Sequence, residues 1–158
     1  MIIKRLRIFK IAIWIISFQL VGYMMGKITK SNLIWYHDLN QSSITPSDSL
    51  FPIIWSLLYL IISIIFWFLS DNLSKLTSKS TFPSYILHVL LNWSWTPLFF
   101  GSHCTGLSFI IILLMIMTTI MVIVTVKSDF LYISLALIPY FGWQLFAAYL
   151  NFYIWIYN

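Results

Sequence analysis

The chain has 158 residues, 61% of them hydrophobic and 19% aromatic, and its 9 Lys and Arg against 4 acidic residues leave a net charge of +5. Only 8% of residues are charged, where a soluble domain carries about a quarter, so lipid must cover the surface that charge does not. A lone cysteine, Cys104, excludes a disulfide scaffold, and basic residues spread without an amphipathic face exclude a nucleic-acid binder.

Crossing the hydrocarbon core takes about 20 mostly apolar residues in a helix. Five uncharged runs qualify, and they predict spans over about 8–26, 50–70, 82–100, 106–126 and 130–156. The runs are continuous and lack the period-two alternation of lipid-facing strands, which favours helices over a barrel. The expected fold is therefore an all-α integral membrane protein, a five-transmembrane-helix bundle, with residues 1–158 forming one domain without internal repeats. Lys4, Arg5 and Arg7 ahead of the first apolar run read as an uncleaved anchor, since Val21-Gly22-Tyr23 offers no small-x-small cleavage site. With five spans, Lys4, Arg5, Arg7, Lys10, Lys75, Lys79 and Lys127 fall on one side and only Lys27 and Lys30 on the other. The positive-inside rule then puts the N-terminus inside, in a prokaryotic cytoplasmic membrane, with the mitochondrial outer membrane as the alternative. The connections are short except the first, Lys27 to Ser49, which is long enough to serve as a lid and carries Trp35, Tyr36 and His37.

The chemistry available inside the spans is restricted. Asp38, Asp48, Asp71 and Asp129 all fall in loops or at span ends, which argues against proton-coupled pumping or an intramembrane aspartyl pair. Gly101-Ser102-His103 is not a G-x-S-x-G elbow, so a serine hydrolase lacks support. His88 and His103 are roughly 22 Å apart along a helix and cannot share one metal ion. His37 and His103 are expected on the same side, where boundary histidines are more often satisfied by water or headgroups; no metal site and no cofactor is called for. More informative are stripes at helical spacing: Trp55, Tyr59 and Ser63; Asn92, Trp95, Thr96 and Phe99; Trp143, Ala147 and Asn151. They are compatible with bundle packing, in which Asn92 and Asn151 bond across helices. They equally suit a pocket for a large, flat, apolar ligand, because aromatic faces stack and sparse polar atoms orient. Gly22-x-x-x-Gly26 fits a close helix contact, within or between protomers.

The ordered blocks Trp35-Tyr36-x-x-Leu39, Pro46, Phe51-Pro52-x-x-Trp55-x-x-Leu58-Tyr59, Leu91-Asn92-Trp93-Ser94-Trp95-Thr96-Pro97-Leu98-Phe99-Phe100-Gly101 and Pro139-Tyr140-x-x-Trp143-x-x-x-Ala147-x-x-Leu150-Asn151 resemble the TspO/MBR family. The resemblance runs through essentially the whole chain, and its animal members are the translocator protein or peripheral benzodiazepine receptor. It implies a five-helix bundle, often a homodimer, whose pocket beneath the first loop binds porphyrins such as protoporphyrin IX and, in some members, sterols and drugs. The implied roles are receptor or sensor in tetrapyrrole regulation or stress response, light-dependent protoporphyrin-degrading enzyme, or facilitator of hydrophobic-ligand transport, with a non-enzymatic role preferred. Trp55 and Trp143 would correspond to the pocket tryptophans of the degradation chemistry. Tyr59, Asn92, Trp95, Ala147 and Leu150 would line the same cavity, and Trp35 and Tyr36 would brace the lid. Two departures stand out. The family's first-loop Lys-Pro-x-Trp-x-Pro-Pro is Gln41-Ser42-Ser43-Ile44-Thr45-Pro46-Ser47 here, so a less rigid, less aromatic lid is expected. Phe152 and Ile156 occupy the sterol-pattern positions of the animal proteins and no basic residue follows Lys127, which turns the expectation away from sterol transport.

Overall fold

A computed structural model describes residues 2–158, with side chains from Arg5 onward; the side chain of Lys4, one of the basic residues counted above, lies outside the described residues. The elements in order are α1 (Ile2–Ser31), α2 (Leu33–Asp38), α3 (Leu50–Asp71), α4 (Thr81–Thr96), α5 (Thr105–Val126) and α6 (Leu131–Tyr157). A 3₁₀ turn at Leu73–Lys75 and a π turn at Pro97–Gly101 complete them, and there is no strand among the described residues. Four helices, α1, α3, α5 and α6, are long and apolar enough to cross a membrane. Helix α4 alone has 16 residues, short of the roughly 20 a span needs.

Two boundaries differ from the sequence reading. Helix α1 continues past Gly26 to Ser31, and the long first connection contains a helical turn of its own, α2, which Asn32 joins to α1. Gly26 does not end the helix because Lys27, Ile28, Thr29 and Lys30 continue it, with Thr29 Oγ1 donating to the Met25 carbonyl at 3.2 Å. Pro97 has no N–H, so the turn after α4 widens and the Ser102 amide reaches back to the Pro97 carbonyl at 2.9 Å. The widened turn buries both Phe99 and Phe100.

Helix α1 packs on α3, and α5 packs on both α4 and α6. The solid core occupies the half of the bundle away from α2: Phe18, Leu58, Ile62, Ile65, Leu69, Tyr85, Val89, Val122, Val126, Ile133 and Leu137 form one buried cluster. Lipid is as apolar as this core, so close packing and interhelical hydrogen bonds hold the helices rather than a hydrophobic drive. At that end Arg7 and Lys10 each reach Asp71 at 3.3 Å, joining the start of α1 to the end of α3.

The turn after α3 is fastened to the α5–α6 connection. Asp129 accepts from the Thr77 hydroxyl at 2.6 Å and from the Thr77 amide at 2.9 Å. These bonds, the hydroxyl first, hold the Asp129 carboxyl below its ordinary value of 3.8. A depressed carboxyl stabilises the fold above its unfolded value, and that contribution disappears as pH falls through the lowered folded one. Asp129→Asn should therefore free residues 72–80 at neutral pH. Limited trypsin digestion of the purified protein is expected to cut faster after Lys75 and Lys79, and an unchanged rate would show that the clasp does not order the turn.

Candidate functional site

Beneath α2 the bundle is hollow. A cavity of about 670 Å³ lies between α1, α2, α3, α6 and the end of α4. This is within the range of about 300–1,000 Å³ usual for small-molecule sites. Its wall is aromatic. Trp55 and Trp95 stack with centroids 6.2 Å apart and planes 26° from parallel, and Trp95 stacks in turn on Phe99 at 5.1 Å. These rings come together because α3 and α4 each place an indole one turn from a second ring, Tyr59 at 5.9 Å from Trp55 and Phe99 from Trp95. Trp95 is locked further: its Nε1 donates to Asn151 Oδ1 at 3.0 Å, and Asn151 Nδ2 donates to the Thr105 carbonyl at 2.8 Å. Trp143 also lines the cavity, but its buried indole N–H has no hydrogen-bond partner.

The first helix supplies the opposite wall through Gln19, Gly22, Tyr23, Gly26, Lys27 and Lys30. Gly22 is a glycine for a steric reason, since a Cβ there would lie 2.9 Å from Tyr59 Cδ2. The equivalent position at Gly26 meets nothing within 4 Å and opens on the cavity. The close contact read from this glycine pair is thus made within the protomer, by its first member. Lys27 and Lys30 are exposed at the rim, with Lys27 Nζ 4.8 Å over the Tyr23 ring. The acidic group lining the cavity, Asp48, pairs with His37 Nε2 at 2.9 Å.

The segment above the cavity is tied down at several points. Tyr36 packs against Phe100 at 5.4 Å and Phe99 at 6.3 Å. Burial, with a smaller contribution from the Asp48 charge, pushes the Tyr36 hydroxyl up to about 12, so its contribution to stability holds below pH 10 and is lost as pH rises toward 12. Trp35 stacks on His103 at 3.9 Å, and His103, which has a left-handed φ of 56°, also meets Asn32 Oδ1 at 3.1 Å. Farther along, the Asn40 amide donates to Asn158 Oδ1 at 2.9 Å and Ser42 bonds the Tyr149 hydroxyl at 3.0 Å. Polar ties to α6 and its terminal Asn158 thus fasten this connection.

Of the residues singled out from the sequence, Tyr36, Trp55, Tyr59, Trp95, Trp143, Ala147 and Leu150 line this cavity together. Asn92 lies one turn deeper in α4, where its Nδ2 donates to the Tyr140 hydroxyl at 2.9 Å. Trp35 faces His103 and Phe99 and braces the segment from outside the cavity. The wall contributed by α1 was missed, although its signal was present: residues 19, 22, 23, 26, 27 and 30 follow the i, i+3, i+4, i+7 pattern of one helix face.

Comparison with known proteins identifies a family for the chain. The chain matches the TspO/MBR family over residues 12–156. It is 30% identical over 156 residues to the tryptophan-rich protein TspO of Archaeoglobus fulgidus, covering 97% of this chain and 99% of that one. It is 29% identical to protein CrtK of Rhodobacter capsulatus over 78% of each chain. The translocator protein of Sus scrofa is 28% identical over 89% of this chain and 87% of its own. A multi-pass helical membrane protein with tryptophans gathered around one cavity, and with matches of this extent, belongs to the TspO/MBR family.

Proposed function

We propose that this cavity binds porphyrins, with protoporphyrin IX as the representative ligand, and that the chain acts as a membrane receptor or sensor in tetrapyrrole regulation or stress response. The observation that carries the reading is the chemistry of the wall. Stacked indoles offer flat apolar faces to a macrocycle, and Lys27 and Lys30 offer positive charge at the rim. A porphyrin with carboxylates along one edge matches both, since its ring lies against the indole faces while the acids stay at the wet, basic end. Saturable quenching of tryptophan fluorescence on titrating detergent-purified protein with protoporphyrin IX is the expected result; linear, non-saturating quenching would overturn the reading.

The rim makes its own prediction. Lys27→Gln with Lys30→Gln should weaken protoporphyrin IX binding several-fold, the order expected for two solvated charge pairs. Binding of the dimethyl ester, which lacks the negative charges, should stay the same. Equal losses for both would mean that the lysines act on the fold rather than on ligand charge.

The same proposal includes the topology. Helix α4 with the π turn, residues 81–101, serves as the fifth span, residues 32–49 with α2 form the lid, and the chain is one domain. Arg5, Arg7, Lys10, Lys75, Lys79 and Lys127 then share the inner face of a prokaryotic cytoplasmic membrane. The Arg7 and Lys10 pairs with Asp71 support grouping those segments at one end. A reporter fused after Asn158 should be active outside the cytoplasm.

A further inference from the structure

Behind the large cavity is a second, much smaller one of about 10 Å³. It shares Trp55, Trp95, Trp143 and Ala147 with the large cavity, and Ile112 and Met115 of α5 close its far side. The remaining wall is Gln144, which is 2% exposed. Neither its Oε1 nor its Nε2 has a hydrogen-bond partner. The amide faces the Tyr140 hydroxyl one turn away, but no well-formed bond joins them, and that hydroxyl is already engaged by His88 and Asn92. A buried amide left without partners is costly, and apolar residues would fill this position in α6 without that cost. A carboxamide so placed calls for an occupant that both donates and accepts. The space is at the threshold for a single water-sized group, about 10–15 Å³.

We propose that Gln144 anchors a polar subsite at the inner end of the ligand cavity, where it recognises a neutral hydroxyl carried by the ligand on the edge opposite its acids. The inference rests on the large cavity being the ligand site. The recognised group is neutral because no charged side chain lines the annex and burying an ion there would be far costlier than burying a hydroxyl. The complete ligand then has three zones: an anionic edge at Lys27 and Lys30, a flat ring against the indoles, and a neutral hydrogen-bonding tip at Gln144. Residue 144 becomes the position that discriminates among otherwise similar macrocycles.

Haematoporphyrin tests this, because it carries hydroxyethyl groups where protoporphyrin IX carries vinyl groups and keeps the same two carboxylates. The wild-type protein should bind haematoporphyrin about five- to tenfold more tightly, the range expected from one well-made buried hydrogen bond. Gln144→Met, close in size and shape, should erase that preference and leave protoporphyrin IX affinity within about twofold; Gln144→Leu should do the same. If the wild type shows no preference, or if both variants keep it, the subsite is wrong while the cavity reading survives. A purely structural Gln144 would instead lower thermal stability and weaken both porphyrins alike. Failure of either porphyrin to bind the wild type would fall on the cavity itself.

Discussion

Replacing Trp55 and Trp143 together by phenylalanine is expected to weaken protoporphyrin IX binding about a hundredfold. Each indole contributes up to about 1.5 kcal/mol of stacking beyond its buried area. A total of about 3 kcal/mol corresponds to that factor. Phenylalanine keeps the wall apolar, so the helices should remain folded, which circular dichroism checks. Trp95 stays in the cavity and still reports binding by quenching. Single variants should each lose about half of that free energy. An undiminished affinity in the double variant would remove the cavity from consideration as the porphyrin site. The same proteins separate a receptor from a light-driven degrading enzyme. In a receptor the porphyrin absorption bands survive illumination in air as well as they do without protein; in an enzyme they decay faster, and the decay slows in the double variant. Ligand flux into proteoliposomes above that of protein-free vesicles would point instead to facilitated transport.

The part of this site that the sequence revealed was the part written in one periodicity. Trp55 with Tyr59 and Trp143 with Ala147 sit four residues apart on helices without interruption, so the spacing alone puts them on a common wall. Phe100 escaped because the π turn after Pro97 shifts the register. On a regular helix Phe99 follows Trp95 and Phe100 turns away, whereas the widened turn buries both. The α1 wall escaped for another reason. Two glycines at i and i+4 are read most readily as a helix contact, and only the positions of their neighbours tell that Gly22 receives Tyr59 while Gly26 faces open space. Asn92 shows the limit of face assignment: it shares a broad face with Trp95, but one turn of depth separates a cavity wall from the polar layer beneath it. The end of α1 was hidden because, in a helix facing lipid along most of its length, glycine carries little of the stop signal it has in a soluble helix.

That polar layer is the basis of the largest stability change expected. Tyr140 is fully buried, and its hydroxyl accepts from Asn92 Nδ2 at 2.9 Å and bonds His88 Nε2 at 2.9 Å. His88 Nδ1 in turn lies 3.2 Å from the hydroxyls of both Thr118 and Thr119. One phenol thus links α4 to α6, and through His88 to α5, at a depth where no water replaces a lost partner. Tyr140→Phe removes a single oxygen yet leaves two groups of α4 unpaired. Each interhelical bond in lipid is worth about 0.6–1.7 kcal/mol, and the orphaned groups add their desolvation, so a loss of about 2–3 kcal/mol is expected. Thermal unfolding in detergent should fall by several degrees. The test of the mechanism is the triple variant His88→Leu, Asn92→Leu, Tyr140→Phe. Removing all the partners leaves little to satisfy, so it should recover much of the stability that the single change loses. Because neither His88, Asn92 nor Tyr140 lines the cavity, protoporphyrin IX affinity measured below the unfolding range should stay within about twofold in Tyr140→Phe. A Tyr140→Phe protein that melted normally but bound no porphyrin would mean the layer reaches the ligand, and that the cavity and its floor act as one site.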